Sequence, residues 1–374
     1  KAKRSAVLPD SAENFRTIWL SPDDDSVVQI IDQRLLPHDY RIHNLNTWMD
    51  GVEAIADMYV RGAPLIGATA AWSLYLATLQ SGDKQANIST AAQALLKSRP
   101  TAVNLHWAVE RVMRRLQAAK SAKELTSIAR QEAEDICSEE LDISCGIGNH
   151  GLTLIEAIAT KKRGDTVNIL THCNAGSLAT INWGTATAPI YFAHRKGIKV
   201  HVWVDETRPR NQGSQLTAWE LAANHVPHTL IVDNAGGHLM QHGEVDLVIT
   251  GTDRTTRCGD VANKIGTYLK ALAAFDNDIP FYVALPSTTI DWDSRDGVAE
   301  IPIEERDASE VTDVYGVGDN GTTHVRTVAA GTAVSNFAFD VTPARLVTGL
   351  ITERGICKAS EAGLLNLFPE KHSA

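Results

Sequence analysis

What this chain lacks narrows it first. Its five cysteines, Cys137, Cys145, Cys173, Cys258 and Cys357, form no Cys-x-x-Cys pair and no zinc-ligand spacing, so no metal site is expected and free thiols in a reducing compartment fit best. Excess basic charge is also absent. A net charge of −10 speaks against broad binding to a nucleic-acid backbone, which needs basic patches, but leaves room for a small anion held by a few arginines. No apolar run approaches the roughly 20 residues that cross a bilayer, and the opening KAKRSAVLPD has no long apolar segment after its basic residues. A cytoplasmic protein with no membrane partner is the expectation. What is present, 374 residues with 44% hydrophobic and 21% charged, suits a soluble globular chain of two domains.

From Asn46 to about Ser138 apolar residues recur at spacings of three and four, in WMDGVEAIADMYV, APLIGATAAWSLYLATLQ, NISTAAQALLKS and AVNLHWAVERVMRRLQAAK, which predicts helices. Upstream, residues 27–31 read as a short strand closed by Pro37. The rhythm then changes: strands are predicted at 167–170, 198–204, 229–232, 247–250 and 281–284, with helices at 215–224, 237–241, 264–275 and 344–353. Such alternation indicates a parallel sheet wrapped by helices. The acidic, glycine-containing stretch 138–151 reads as the boundary between halves, and 313–331, rich in Gly, Asp and Thr, as a surface loop.

Two of the apolar runs stop on side chains that can move a proton. One leads to Cys173 within THCNAG and the other to Asp253 within GTDR. Ligands of a parallel α/β sheet sit in the crevice outside the carboxyl ends of its strands, so residues just past two such runs can meet there. A thiol opposite a carboxylic acid suits acid/base chemistry. A lone cysteine is ordinarily core filling, and an aspartate after a strand ordinarily caps a helix or makes a turn. The following Asn174-Ala175-Gly176-Ser177 alters the balance, because it reads as a tight turn into a helix N-terminus, where a thiolate is favoured. His172 is not expected to reach the sulfur, since adjacent side chains on a strand point to opposite faces. Beyond Asp253, the polar groups Arg254, Arg257, Asp260, Asn263 and Lys264 crowd one segment with Gly259 and Gly266.

Arg61-Gly62-Ala63 directly precedes Pro64 and an apolar helical run, a place where free amides, the helix dipole and an arginine fork suit a phosphate. Arg99-Pro100-Thr101-Ala102 repeats the arrangement before Val103. The polar stretch DETRPRNQG, 205–213, exceeds a plain connector: Glu206 and Arg208 are expected to pair, leaving Gln212 for sugar hydroxyls. CGIGNHG carries the Gly146-x-Gly148-x-x-Gly151 spacing of a dinucleotide fingerprint, but acidic, helix-like residues precede it where an apolar strand is required. The expectation there is a glycine turn before a helix at 152–160, and no nucleotide cofactor.

Together the segments VRGAPLIG, RPTAVNL, ILTHCNAGSLAT, DETRPRNQGSQLTAWEL, GTDRTTRCGDVANKIGTY, IPFYVALPSTTIDW, IPIEER and FDVTPARLVTGLITERG closely resemble the methylthioribose-1-phosphate isomerases, enzymes of methionine salvage. The match is dense from about Asp32 to Gly355. The resemblance implies an α/β fold in which a mostly helical N-terminal domain, residues 1–145, precedes a Rossmann-like, parallel-sheet catalytic domain, residues 146–374, in a homodimer. It implies Cys173 and Asp253 as the catalytic pair, with Asp253 the proton donor. Substrate contacts are then Arg61, Gly62, Ala63, Arg99, Gln212, Asn263 and Lys264, with no cofactor and no metal. The same superfamily includes ribose-1,5-bisphosphate isomerases and non-catalytic regulatory subunits of a translation-initiation exchange factor, which typically lack the cysteine and aspartate together. Here GTDRTTRCGD departs from the usual GADRI-type stretch and GTATAPI from a GTALG-type turn.

The implied reaction turns a ring-closed aldose 1-phosphate into an open ketose 1-phosphate. Because the anomeric oxygen is esterified, no free aldehyde is available to acidify C2. Two routes remain, proton removal from C2 with Cys173 as base, or hydride shift from C2 to C1 with Cys173 stabilising charge. Both need a proton delivered to the ring oxygen, the task of Asp253.

Overall fold

A computed structural model describes residues 15–81, 85–99, 102–319 and 321–373; KAKRSAVLPD, Pro100 and Thr101 lie outside the described residues. The chain opens with a three-stranded antiparallel sheet, β1 (Ile18–Leu20), β2 (Val28–Ile31) and β3 (Ile42–Leu45), of which only β2 has a clear sequence signal. Five helices follow: α1 (Trp48–Ala56), α2 (Ala63–Ser81), α3 (Gln85–Ser98), α4 (Val103–Leu116) and α5 (Ala122–Lys161). A capping box starts α1, Thr47 accepting from the Asp50 amide while Asp50 accepts from the Thr47 amide. α2 is buried nearly all round, and α1, α3, α4 and α5 all pack against it. Its hydroxyls stay satisfied inside the helix, Thr69 donating to Leu65 O and Ser73 to Thr69 O. Burial of Leu65, Leu74 and Leu76 contributes roughly 1.5–3 kcal/mol each, and this packing fixes where the first turn of α2 points.

The glycine turn expected at 146–151 is absent, because α5 runs unbroken for 40 residues through it. A glycine inside a helix costs about 1 kcal/mol, so a packing reason is required, and one is present. A Cβ added at Gly148 would lie 2.7 Å from the Phe192 ring and one at Gly151 2.3 Å from Pro189. Both contacts belong to α6 (Ala188–Arg195), which approaches α5 across the missing side chains.

The second half alternates as expected: β4 (Val167–Thr171), α6, β5 (Val200–Asp205), α7 (Ala218–Ala223), β6 (His228–Ile231), α8 (Ala235–Gln241) and β7 (Leu247–Thr250). Then come β8 (Arg254–Thr256), β9 (Val261–Lys264), α9 (Thr267–Asp276), β10 (Phe281–Ala284), β11 (Ile290–Asp291), α10 (Gly297–Glu300) and α11 (Ser309–Thr312). The chain ends with β12 (Asp313–Gly318), β13 (Gly321–Arg326), β14 (Phe339–Thr342), β15 (Gly349–Thr352), β16 (Gly355–Cys357) and α12 (Glu361–Leu367). The main sheet has seven strands in the order β16-β15-β10-β7-β4-β5-β6. All neighbours pair in parallel except β16, which returns antiparallel at one edge. A second sheet, β11-β8-β9-β14, lies beyond β7 in the chain. The fold is therefore mixed α/β with a parallel sheet, and among the described residues no helix is long and apolar enough to cross a membrane.

Three further expectations are corrected. Residues 344–353 are not helical: a short 3-10 turn leads into β15, fully buried beside β10, and a central strand buried on both faces loses the alternation that marks a strand in sequence. The supposed loop 313–331 contains the hairpin β12–β13, exposed enough that composition hides its pairing. Lys264 belongs to β9, and the helix begins only at Thr267 after Gly266 in a left-handed conformation.

Candidate active site

From β4 the chain steps one way to β5 and β6, then returns to place β7 on the opposite side of β4. The gap between β4 and β7 is thus the sheet's topological switch point, where strand carboxyl ends leave a crevice. Cys173 follows β4 and Asp253 follows β7, and both line one narrow cavity there. The same cavity is walled by Arg61, Gly62, Ala63 and Asn263. Arg99 lies on an adjoining recess that shares Ala63 and Asp253. Arg61 and Gln212 also border a basin of about 690 Å³ on the other side.

Cys173 is held in a left-handed conformation, φ 63°. Its amide donates to Thr207 Oγ1 at 2.8 Å and its carbonyl accepts from Thr217 Oγ1 at 2.6 Å. Such backbone strain costs of order 1–3 kcal/mol and persists only when the surroundings fix it. The sulfhydryl donates to Gln212 Oε1 at 3.2 Å. The turn into a helix N-terminus expected after Cys173 is only a 3-10 turn, Ser177–Ala179, so no helix dipole of any length favours a thiolate. Burial pushes the Cys173 thiol up, and the opposing charges of Arg61 and Lys264 do not cancel that effect. His172 points away from the sulfur, as expected, toward Asp205.

Arg61 ties α2 to the cysteine turn, donating to Asn174 Oδ1 at 2.6 Å and Asn174 O at 2.7 Å. Gly62, φ 88°, lets the backbone pass Ala179: an added Cβ would stand 2.4 Å from its carbonyl oxygen. Ala63 then starts α2. Arg99 is buried and paired with Glu304 at 3.3 Å, its Nε without a partner among the described residues. Asn263 donates to Thr267 Oγ1 at 3.0 Å. Lys264 is buried against the Phe339 ring, and burial lowers its ammonium's pKa despite the nearby Cys173 and Asp253. The Asp253 carboxyl is half-buried, and its backbone amide is bonded to Ala262 O. The expected Glu206–Arg208 pair is not formed; Arg208 donates to Pro209 O and Val311 O instead.

Sequence reasoning missed the groups that hold the cysteine turn from below. Glu220 accepts from Ser177 N and Leu178 N, both at 2.8 Å, and from Asn174 Nδ2 at 3.0 Å. Asp205 accepts from His172, Thr207 and Lys270. The signal available was an acidic residue closing an apolar strand, which alone does not distinguish a hub from a turn. His172, Asp205 and Asp233 cluster closely enough to suggest a metal site, but the Lys270 ammonium already contacts Asp205 at 2.8 Å and Asp233 O at 3.1 Å. A fixed cation occupies that role.

The Initiation factor 2 subunit family matches residues 59–359. The methylthioribose-1-phosphate isomerase of Desulfatibacillum aliphaticivorans is 57% identical over 360 residues, 96% of this chain and 98% of that protein. The enzyme of the same name from Cereibacter sphaeroides is 60% identical over 95% of this chain and 96% of its own length. Among solved structures, 5-methylthioribose 1-phosphate isomerase from Pyrococcus horikoshii OT3 aligns with a TM-score of 0.82 and 37% identity, covering 95% of this chain and 96% of that one. The translation initiation factor eIF-2B, subunit delta, from A. fulgidus aligns nearly as well, TM-score 0.78 and 34% identity over 95% of this chain and 100% of that one. Fold alone therefore does not separate enzyme from factor, whereas the higher identities do. The chain belongs to the Initiation factor 2 subunit family and, within it, to the methylthioribose-1-phosphate isomerases.

Proposed function

We propose that this chain converts 5-methylthioribose 1-phosphate to 5-methylthioribulose 1-phosphate, with Asp253 as general acid and Cys173 as the group facing the C1–C2 bond. The observation that carries the reading is that these two side chains, from distant segments, line one cavity at the switch point beside the first turn of α2. The phosphate sits against that turn and the Arg61, Arg99 and Lys264 cations, Gly62 and Ala63 offering backbone. Asn263 and Gln212 meet the sugar hydroxyls. Asp253, which lines that cavity, delivers its proton to the ring oxygen as the C–O bond breaks.

Of the two routes for C2, the hydride shift is the better supported. A base must first be a thiolate, yet Cys173 donates its proton to Gln212 and burial holds it in that form. On this route ring opening leaves positive charge at C1, the hydride moves from C2 to C1, and the C2 hydroxyl gives its proton back to the Asp253 carboxylate as C2 becomes the ketone. The sulfur lone pair of Cys173 stabilises the developing charge, while Arg61, Arg99 and Lys264 hold the phosphate. Turnover in heavy water tests it: product free of solvent deuterium is expected, and substantial incorporation would exclude a purely internal shift.

The recess beside Asp253 is lined by Ile66, Ile301, Pro302, Ile303 and Phe339 as well as by Arg99 and Arg254; with Arg99 assigned to the one phosphate, its apolar wall is the surface we assign to the methylthio group. Ribose 1,5-bisphosphate is accordingly the poorer substrate in a ketose assay. We further read the second half as Rossmann-like and cytoplasmic, with the two domains dividing near residue 145. Separate apolar clusters on either side of the middle of α5 support the division. Leu230, exposed on the edge strand β6, and Val232 just beyond it support a homodimer formed through this half, since apolar sheet edges invite pairing. The decisive experiment is an isomerase assay on wild type, Cys173→Ser and Asp253→Asn. Loss of about 10²–10⁴ in rate is expected for Asp253→Asn, and near-normal turnover in either variant removes that residue's role. Absence of turnover in the wild type, with a stable complex of other subunits, would favour the regulatory reading.

A further inference from the structure

The His172 ring is 1% exposed and lies between two acceptors. Nδ1 is 2.7 Å from Asp205 Oδ2 and Nε2 is 2.9 Å from Ile265 O. A carbonyl oxygen only accepts, so Nε2 must carry a proton. Asp205 is itself supplied with donors: Lys270 Nζ at 2.8 Å on Oδ2, and Thr207 Oγ1 at 2.6 Å on Oδ1. The Thr207 hydroxyl donates there, because a carboxylate oxygen only accepts, while its own oxygen accepts the Cys173 amide. An Asp205 carboxylate held ionised in this way accepts from Nδ1 as well. A neutral imidazole would turn a lone pair toward one of these oxygens, deep in the interior, where such a mismatch is costly. The other titratable groups around the ring are Asp340 from β14, Asp233 after β6, and Cys173 on the cavity side.

The network spans parts of the site that the sequence keeps far apart. Through Asp205 and Thr207 it reaches the Cys173 amide, and Thr207, like Cys173, is left-handed at φ 61°. Through Ile265 O it reaches the residue following Lys264. We propose that His172 is an imidazolium and a positioning residue that locks the Cys173 turn and the Asn263–Lys264 strand end in one fixed relation. It borders the same cavity as Cys173 and Asp253, but both its ring nitrogens are taken up by Asp205 and Ile265 O. The proposal rests on Cys173 serving the isomerisation, and its test is chosen to separate the two.

Nitrogen NMR of ¹⁵N-histidine-labelled wild-type protein, with His172 assigned by its loss in His172→Gln, reads the protonation directly. Both ring nitrogens should give protonated signals at neutral pH. An unprotonated ring nitrogen at neutral pH overturns the proposal, whatever the variants do. His172→Gln, which keeps one donor and loses the charge, should lower kcat on the order of 10²-fold, as for a displaced reacting group, with little change in KM. It should also alter the pH profile of Cys173 alkylation. Thr207→Val, which removes the hydroxyl that joins Asp205 to the Cys173 amide, should give the same losses, and Thr207→Ser, retaining it, near-wild-type values. Wild-type kcat together with a wild-type alkylation profile in His172→Gln overturns the positioning role. Normal turnover by Cys173→Ser would instead remove the catalytic reading of Cys173 while leaving the alkylation and NMR results to judge the tie.

Discussion

The sulfhydryl of Cys173 donates to Gln212 Oε1 at 3.2 Å, so at rest the sulfur is a hydrogen-bonded thiol. Burial raises it above the ordinary thiol value, against the pull of Arg61 and Lys264. Alkylation requires the thiolate. The rate at Cys173 should therefore be slow at neutral pH and climb only above the range of an ordinary cysteine, near 9.0. Rates already at a plateau at neutral pH, read by mass spectrometry of the Cys173 peptide, would show a resting thiolate and return the base mechanism.

Gly62 is the point where α2 and the Ala179 backbone come closest. In Gly62→Ala the new Cβ meets Ala179 O at 2.4 Å on a backbone with φ 88°, and the left-handed strain alone costs about 1–3 kcal/mol. A comparable fall in unfolding free energy is expected, with a raised KM because the first turn of α2 shifts. A variant as stable as wild type by urea titration, with unchanged KM, would mean that this turn neither needs glycine nor holds the substrate.

Lys264 is a buried cation that makes no ion pair among the described residues. Its folded pKa is lowered chiefly by burial, so between that lowered value and the unfolded value of 10.5 the unfolded chain binds more protons. Stability contributed by this group rises with pH through that window. Lys264→Met should flatten this rise and leave the fold as stable or more so, since it removes a buried charge. Activity should nevertheless fall by about 10²–10³. Thermal melts across alkaline pH with a parallel assay would reveal either failure.

Much of the site was readable because it lies where strands stop. Val167–Thr171 and Leu247–Thr250 carry clear apolar runs, and sheet topology alone brings Cys173 and Asp253 to the same crevice. What escaped depends on tertiary contact. Gly148 and Gly151 looked like a turn because the partners that require them, Phe192 and Pro189, lie on another helix. β15 resembled a helix because both its faces are buried. Asp205 and Glu220 collect their donors from several distant segments, and no spacing in the chain announces such a hub. Gln212 was singled out as a partner for sugar hydroxyls, while its bond to the Cys173 sulfur left no signal in the sequence.

Glu140 offers a stability test away from the cavity. It lies on α5, 2% exposed, with a weak bond from Thr288 Oγ1 at 3.4 Å and its second oxygen unpartnered among the described residues. Burial, followed by the charge of Glu353, pushes it up to about 8 from 4.5. Folded protein therefore holds a proton that the unfolded chain has lost between these values, so folding stability falls as pH rises through that window. A fully coupled group of this kind changes stability by at most about 1.4 kcal/mol per pH unit. Glu140→Gln supplies the neutral form permanently. It should match wild type near pH 4.5 and become progressively more stable than wild type up to about pH 8, above which the difference stays constant. Urea midpoints for the two proteins that run parallel across that range would show that Glu140 is ionised in the folded state, and that Thr288 and its surroundings hold the charge.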